Sequence, residues 1–383
     1  MSHLLPYNRR TILQQKKILF NKLGYIRLLL AVSVFQGHAW EFFKTTHYSC
    51  AGGIVSVRMF YMISGFLMAL MLTTKYDSVV NFYKSRILRL FPTYYCVLVG
   101  SIVVALIIWI STGSSFTLGF FHGYGQILGM VGWTTLIVPQ IFLLGIDLVG
   151  FLAIDFINNA PSGLKFTNSS STQVNGYQFL IIPQAWTLGL ELSFYLLIPW
   201  IIKSTRIILI LFFISIGVQF LTFYILDLGD DPWNRRFFLS ELQYFLGGVL
   251  CFKFKTKVSS QNSRVQLVNF SLILMMLILL SSSLMSPIPL VLIYVVFALS
   301  LPNLINISRV LPLDRLVGDL SYPLYIVHWF VLNLVLNGFL PNFNWPKTAS
   351  LAYSIFLSLL LIFFVERKMN LFRSKYSKRF STQ

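Results

Sequence analysis

Eleven apolar runs of roughly 15–24 residues follow one another along a 383-residue chain, with only short polar connections between them. They fall near 23–40, 51–74, 92–111, 126–146, 179–202, 206–226, 237–252, 265–285, 288–303, 320–340 and 348–365. Each is about as long as an α-helix must be to cross a hydrocarbon core some 30 Å thick. Only 11% of the residues are charged and 56% are hydrophobic. A soluble domain carries about 25% charged residues, so this chain lacks the polar side chains to coat a water-exposed surface. Disorder, a secreted disulfide scaffold and a cytosolic enzyme are excluded. The three cysteines, Cys50, Cys96 and Cys251, have neither pairing nor metal-ligand spacing.

Lysine and arginine outnumber aspartate and glutamate by 30 to 12, for a formal net charge of +18, and they cluster in the connections. Residues 1–22, 75–89, 253–264 and the stretch after Glu366 hold 5, 4, 4 and 6 of them. Short basic segments remain on the cytoplasmic side and meet anionic membrane lipids, which accounts for the charge without nucleic acid. Residues 1–22 and 367–383 are therefore expected as cytoplasmic basic ends of a single transmembrane domain, 23–366. The run from residue 23 has further spans behind it and no small-residue cleavage site, so it reads as a first span and not a signal peptide. Two cytoplasmic ends demand an even number of crossings. The irregular stretch is 112–157, interrupted by eight glycines and Pro139. The expected fold is all-α: a polytopic transmembrane helical bundle of about 10 spanning helices. One re-entrant or interfacial piece at 126–157 completes it, with 158–177 as an external loop. Backbone of that kind is tolerated at membrane depth only where it is buried or lines a cavity.

A charged side chain at the centre of a span costs at least about 2.5–3.5 kcal/mol, so each one requires a reason. Arg27 and His38 stand eleven residues apart in the first run. Eleven helical steps return to within roughly 20° of the starting direction and advance about 16–17 Å. One helix face thus carries a cation towards the cytoplasmic end and an imidazole towards the outer end. That layout suits a long ligand with an anionic head and a reactive tip, although Arg27 can also snorkel to the interface and His38 bond a neighbouring carbonyl. Arg86 and Arg89, three apart, serve either as a positive-inside anchor or as a phosphate clamp. Glu191, among apolar and aromatic residues, must be paired, hydrogen-bonded or protonated, and Arg58 is a candidate partner. Glu241 near a span end reads as structural, and His328 is a second intramembrane imidazole. No histidine or acid pair has metal-ligand spacing, so no metal is expected, and neither a phosphate-binding Walker loop nor a GxSxG motif is present.

Taken in order, these residues resemble the acyltransferase-3 family of integral-membrane O-acyltransferases, which acylate bacterial cell-surface sugars and related acceptors. The first span carries Arg27-x10-His38, like the family's Arg-x10-His. The second carries Phe60-Tyr-Met-Ile-Ser64-Gly65-Phe66, similar to its Phe-Phe-x-x-Ser-Gly-Phe. Then come Arg86-x-x-Arg89 before Pro92, Trp186-Thr-Leu-x-x-Glu191-x-x-Phe194-Tyr195, Ser321-Tyr-Pro-Leu-Tyr325-x-x-His328 and a closing Glu366-Arg367. The signatures are collinear over 25–367. Departures are Thr187 for Ser, Tyr61 for the second Phe, and Lys368 where the family often has Pro.

The resemblance implies transfer of an acyl group, usually acetyl from acetyl-CoA as co-substrate, to a hydroxyl of a saccharide or lipid-linked saccharide. It implies a multi-pass protein of the bacterial cytoplasmic (inner) membrane. On that reading His38 is the catalytic imidazole, as general base or acyl carrier, with Glu41 a candidate to orient its ring. Arg27, Arg86 and Arg89 meet the CoA phosphates, and Glu191 positions the acceptor hydroxyl or holds Arg58. Arg58, Ser64, Trp186, Tyr325 and His328 complete the candidate site. A non-enzymatic transporter or flippase for a lipid-linked sugar is the rival reading, since intramembrane charge and broken helices mark transporters too.

Overall fold

The computed structural model describes residues 23–43, 53–76, 78–158, 160–169, 174–254, 287–308 and 311–376. The expected span 265–285 and the basic stretches 1–22 and 255–264 lie outside the described residues. The chain is an all-α membrane bundle. Its principal helices are α1 Gly24–Phe43, α2 Gly53–Thr74, α3 Val79–Thr112, α4 Gly119–Tyr124, α5 Gly129–Phe142, α6 Trp186–Ile201 and α7 Thr205–Phe220. They continue as α8 Phe238–Lys253, α9 Pro287–Ser308, α10 Asp314–Leu336, α11 Pro346–Leu361 and α12 Arg367–Ser374. Six stretches among the described residues are long and apolar enough to cross a membrane unaided: α2, α3, α7 with its π turn, most of α9, α10, and α11 run on into α12. Without water in the bilayer core, every backbone N–H must be satisfied within its own segment, which is why these runs become helices.

Helix directions follow from end-to-end contacts. Asp314 Oδ1, at the start of α10, accepts from the amide of Gly24 at the start of α1 (2.9 Å), so the two helices rise in parallel from one face. Arg89 of α3 meets Glu366 at the end of α11, and the amide of Leu23 donates to Ser308 at the end of α9 (3.2 Å), placing these points at that same face. It is the basic face of the bundle. Tight crossings hold the interior: a Cβ on Gly65 would collide with the Phe245 carbonyl and one on Gly248 with the Met62 carbonyl, so α2 and α8 touch backbone to backbone.

Two boundaries differ from expectation. α3 begins at Val79, thirteen residues before the expected start at 92, because the Ser78 hydroxyl accepts from the Asn81 amide and caps it; the helix then runs through Pro92. Arg86 and Arg89 therefore sit on the span itself and not in a loop before it. The second difference concerns 152–166, where β1 Leu152–Ile157 and β2 Ala160–Phe166 pair as an antiparallel hairpin, with a bulge between Asp155 and Phe156. The expected external loop thus contains a strand.

The irregular region holds one short apolar helix, α5, whose end docks on the middle of α3. The carbonyls of Gln140 and Ile141, at the end of α5, accept from the hydroxyls of Tyr94 and Tyr95, midway along α3 (2.6 Å each). The chain then turns at Leu143 and returns to the hairpin, which packs on Trp233 and Phe237 ahead of α8 through Phe151 and Phe166. Gln140 satisfies the turned backbone by accepting from the Ile181 amide (2.9 Å) and donating to the Leu136 carbonyl (2.9 Å).

Candidate active site

The interior of the bundle encloses a cavity of about 130 Å³ between α1, α2, α3, α6, α10 and α12. Six expected site residues line it: Arg27, Ser64, Arg86, Arg89, Glu191 and Tyr325. Each arrives from a different turn of the helices the motifs occupy, so residues far apart in sequence converge only on folding. Apolar side chains, chiefly Phe60, Leu67, Met68, Met71 and Leu90, make up much of the remaining wall.

Among the described residues, Glu191 is the one carboxylate on this wall. Its Oε1 accepts from the Ser64 hydroxyl (2.9 Å) and from the Tyr195 hydroxyl one turn further along α6. Charge-assisted bonds of this kind stabilise a carboxylate that burial would otherwise penalise. Arg58 does not partner it. Its guanidinium lies against Glu241, with Nε and Nη2 donating to Oε1 at 2.9 and 2.7 Å, and against the Asn234 carbonyl at 2.7 Å. Of the two roles open for Glu191, holding Arg58 is therefore removed. Arg58 is fully committed to a buried pair away from the cavity, the fixed geometry that guanidinium and carboxylate favour.

The arginines divide. Arg89 Nη1 donates to Glu366 Oε2 (2.7 Å), whose Oε1 accepts from the Thr93 hydroxyl (2.7 Å). The closing Glu366 thus anchors α11 to α3 and neutralises Arg89. Among the described residues, Arg27 and Arg86 have no carboxylate within ion-pair distance.

His38 and His328 do not line the cavity but touch each other. His38 Nδ1 lies 2.8 Å from His328 Nε2, and His328 Nδ1 lies 3.2 Å from the Leu324 carbonyl. A carbonyl oxygen only accepts, so His328 Nδ1 carries the proton and its Nε2 offers a lone pair. His38 Nδ1–H must then be the donor between the rings. His328 is neutral in this arrangement, and a neutral His38 has its lone pair on Nε2. The Trp329 ring is edge-on to His38 at 5.1 Å, and that of Phe35 edge-on to His328 at 6.3 Å. Tyr325 joins this pair to α6: its hydroxyl lies 2.8 Å from that of Thr187, and its ring 5.9 Å from His328.

Trp186 also lies off the cavity, stacked at 5.1 Å on the guanidinium of Arg236, which Tyr177 covers from another side. Tyr195 and Arg373 are among the lining residues that carried no assignment from sequence. Tyr195 was visible only as a motif position. Arg373, on α12, lies seven residues past Glu366 and so on the same helical face, a spacing masked by its place in a stretch that reads as a basic tail.

A family model described as an acyltransferase domain matches residues 20–366. No curated protein and no solved structure matches the chain.

Proposed function

Because the chain belongs to the acyltransferase-3 family of membrane acyltransferases, we propose that it moves an acetyl group from acetyl-CoA to a hydroxyl of a cell-surface or lipid-linked saccharide. The donor enters from the cytoplasmic face of the bacterial inner membrane, with both chain termini on that side. The observation that carries this reading is the proton order along Leu324, His328 and His38, which leaves an unprotonated Nε2 on the helix face His38 shares with Arg27, a residue of the arginine-lined cavity.

In the reaction, His38 Nε2 takes the proton of the acceptor hydroxyl as its oxygen attacks the thioester carbonyl. The tetrahedral intermediate collapses with cleavage of the carbon–sulfur bond, and the thiolate leaves with the proton from the imidazolium. His328 keeps His38 in the tautomer that can start this sequence. The same Nε2 is the attacking atom if the acyl group rests first on the imidazole. Arg27 and Arg86 hold phosphate oxygens of the donor, while Glu191, fixed by Ser64 and Tyr195, positions a ligand hydroxyl or amide N–H. Thr187 and Tyr325 fill the space between donor cavity and histidine pair.

The test is the acetyl content of the host's surface polysaccharide, read by proton NMR in a deletion strain complemented with wild type or His38→Ala. Acetyl signals should vanish on deletion, return with wild type and stay absent with normally expressed His38→Ala. Full restoration by His38→Ala would remove the mechanism. Unchanged acetylation with less surface polymer would favour a flippase.

A further inference from the structure

We infer that Arg373, beyond the residues the family model matches, joins Arg86 in a built site for a phosphate group, the diphosphate of a CoA donor. This rests on the acyl-CoA reading and adds to it a residue outside the shared domain.

Arg86 is 3% exposed and Arg373 7%, and both line the cavity. Neither has a carboxylate within ion-pair distance among the described residues. Their existing contacts are with neutral groups. Arg86 reaches the Met68 sulfur at 3.7 Å and the Tyr76 and Ser85 hydroxyls at 3.3 Å, and Arg373 reaches the Asn370 side-chain oxygen at 2.8 Å. The Nε of each is buried without any hydrogen-bond partner. An uncompensated buried charge costs several kcal/mol, and two of one sign beside each other add repulsion. Such a pair persists where an anion completes it.

The local field shows in the connection between α2 and α3, where Tyr76 donates or accepts at the Ser85 hydroxyl (2.6 Å). Burial opposes ionisation of its phenol, yet the Arg86 and Lys75 charges and bonds to Ser85 and Arg86 hold it below the ordinary value.

The shape favours a diphosphate with an arm. From the arginines the cavity continues along Met68, Leu67 and Phe60 towards Tyr325, an apolar wall broken by Glu191. A pantetheine arm, apolar with two amides, matches that lining, and the diphosphate is the first anion met when moving outward from its thioester. α12 brings Arg373 here because it continues α11 through the π turn Ile362–Glu366 and packs on α3.

The experiment measures binding of CoA, 3′-dephospho-CoA, pantetheine and inorganic diphosphate to the full-length protein in zwitterionic nanodiscs, by titration calorimetry. Arg373→Gln should weaken CoA and 3′-dephospho-CoA alike by about tenfold to a hundredfold, the loss expected for a charge-assisted hydrogen bond. Pantetheine binding should not change, and Arg373→Lys should recover part of the loss. An unaltered elution profile and melting curve for Arg373→Gln checks folding. Equal weakening of pantetheine, no weakening of CoA, or loss confined to CoA but not its dephospho form would each overturn the assignment. Wild type that binds inorganic diphosphate through Arg373 but not CoA would leave the anion site standing and remove the acyl-CoA reading. Repeating the series with phosphatidic acid in the nanodisc separates a lipid headgroup from the donor: Arg373-dependent competition by lipid, with CoA indifferent to Arg373, would overturn the donor as occupant.

Discussion

The hydrogen bond between His38 and His328 fixes a tautomer, and a tautomer decides whether a neutral imidazole can act as a base at the nitrogen facing its substrate. His328→Ala removes the acceptor for His38 Nδ1–H, so kcat with acetyl-CoA should fall by about a hundredfold or more, while KM for the donor changes little. His328→Gln offers an amide oxygen as acceptor and should retain more activity than the alanine variant. Initial rates in membranes, normalised to protein amount, check both; loss through KM alone would mean that His328 serves binding instead. The face shared by Arg27 and His38 was legible in the sequence because helical periodicity acts over a few turns. The contact with His328 was not, since 290 residues separate the partners and only tertiary packing joins them. The same holds for Arg58, whose partner among several intramembrane acids depended on which helices became neighbours.

At the scale of the elements, close approach is bought with glycine. α2 and α8 pack where Gly65 faces the Phe245 carbonyl and Gly248 the Met62 carbonyl, beside Ser64 and its bond to Glu191. Gly248→Val forces the two backbones apart and should destabilise the bundle by about 1–3 kcal/mol, with Gly248→Ala intermediate. A lowered thermal unfolding midpoint in detergent is the expected result; an unchanged midpoint would show that the crossing can open without loss. Most spans were legible because an apolar run of fixed length has one stable form in lipid. Their ends were less so. The Ser78 cap extended α3 through residues that read as a basic loop, and the π turn before Arg367 converted part of a basic tail into a helix that reaches the cavity. Both are local backbone events that charge counting does not register.

The whole molecule has two unlike faces. One carries the starts of α1 and α10, the Arg89–Glu366 pair and Arg373; the other carries the hairpin and the connection into α8. Exposed apolar residues such as Met130 and Val131 at the start of α5 suit a lipid surface. On the proposed function the first face, rich in lysine and arginine, lies in the cytoplasm, and acyl-CoA reaches the arginines from there. Orientation and donor are thus one hypothesis. In a background with Cys50, Cys96 and Cys251 changed to serine, Ser162→Cys on the hairpin should react with an impermeant maleimide in intact cells. Arg315→Cys, exposed in the first turn of α10, should react only after the membrane is opened. The reverse pattern would turn the arginine cavity outward, where no CoA is present, and the donor would have to be sought among extracytoplasmic anions.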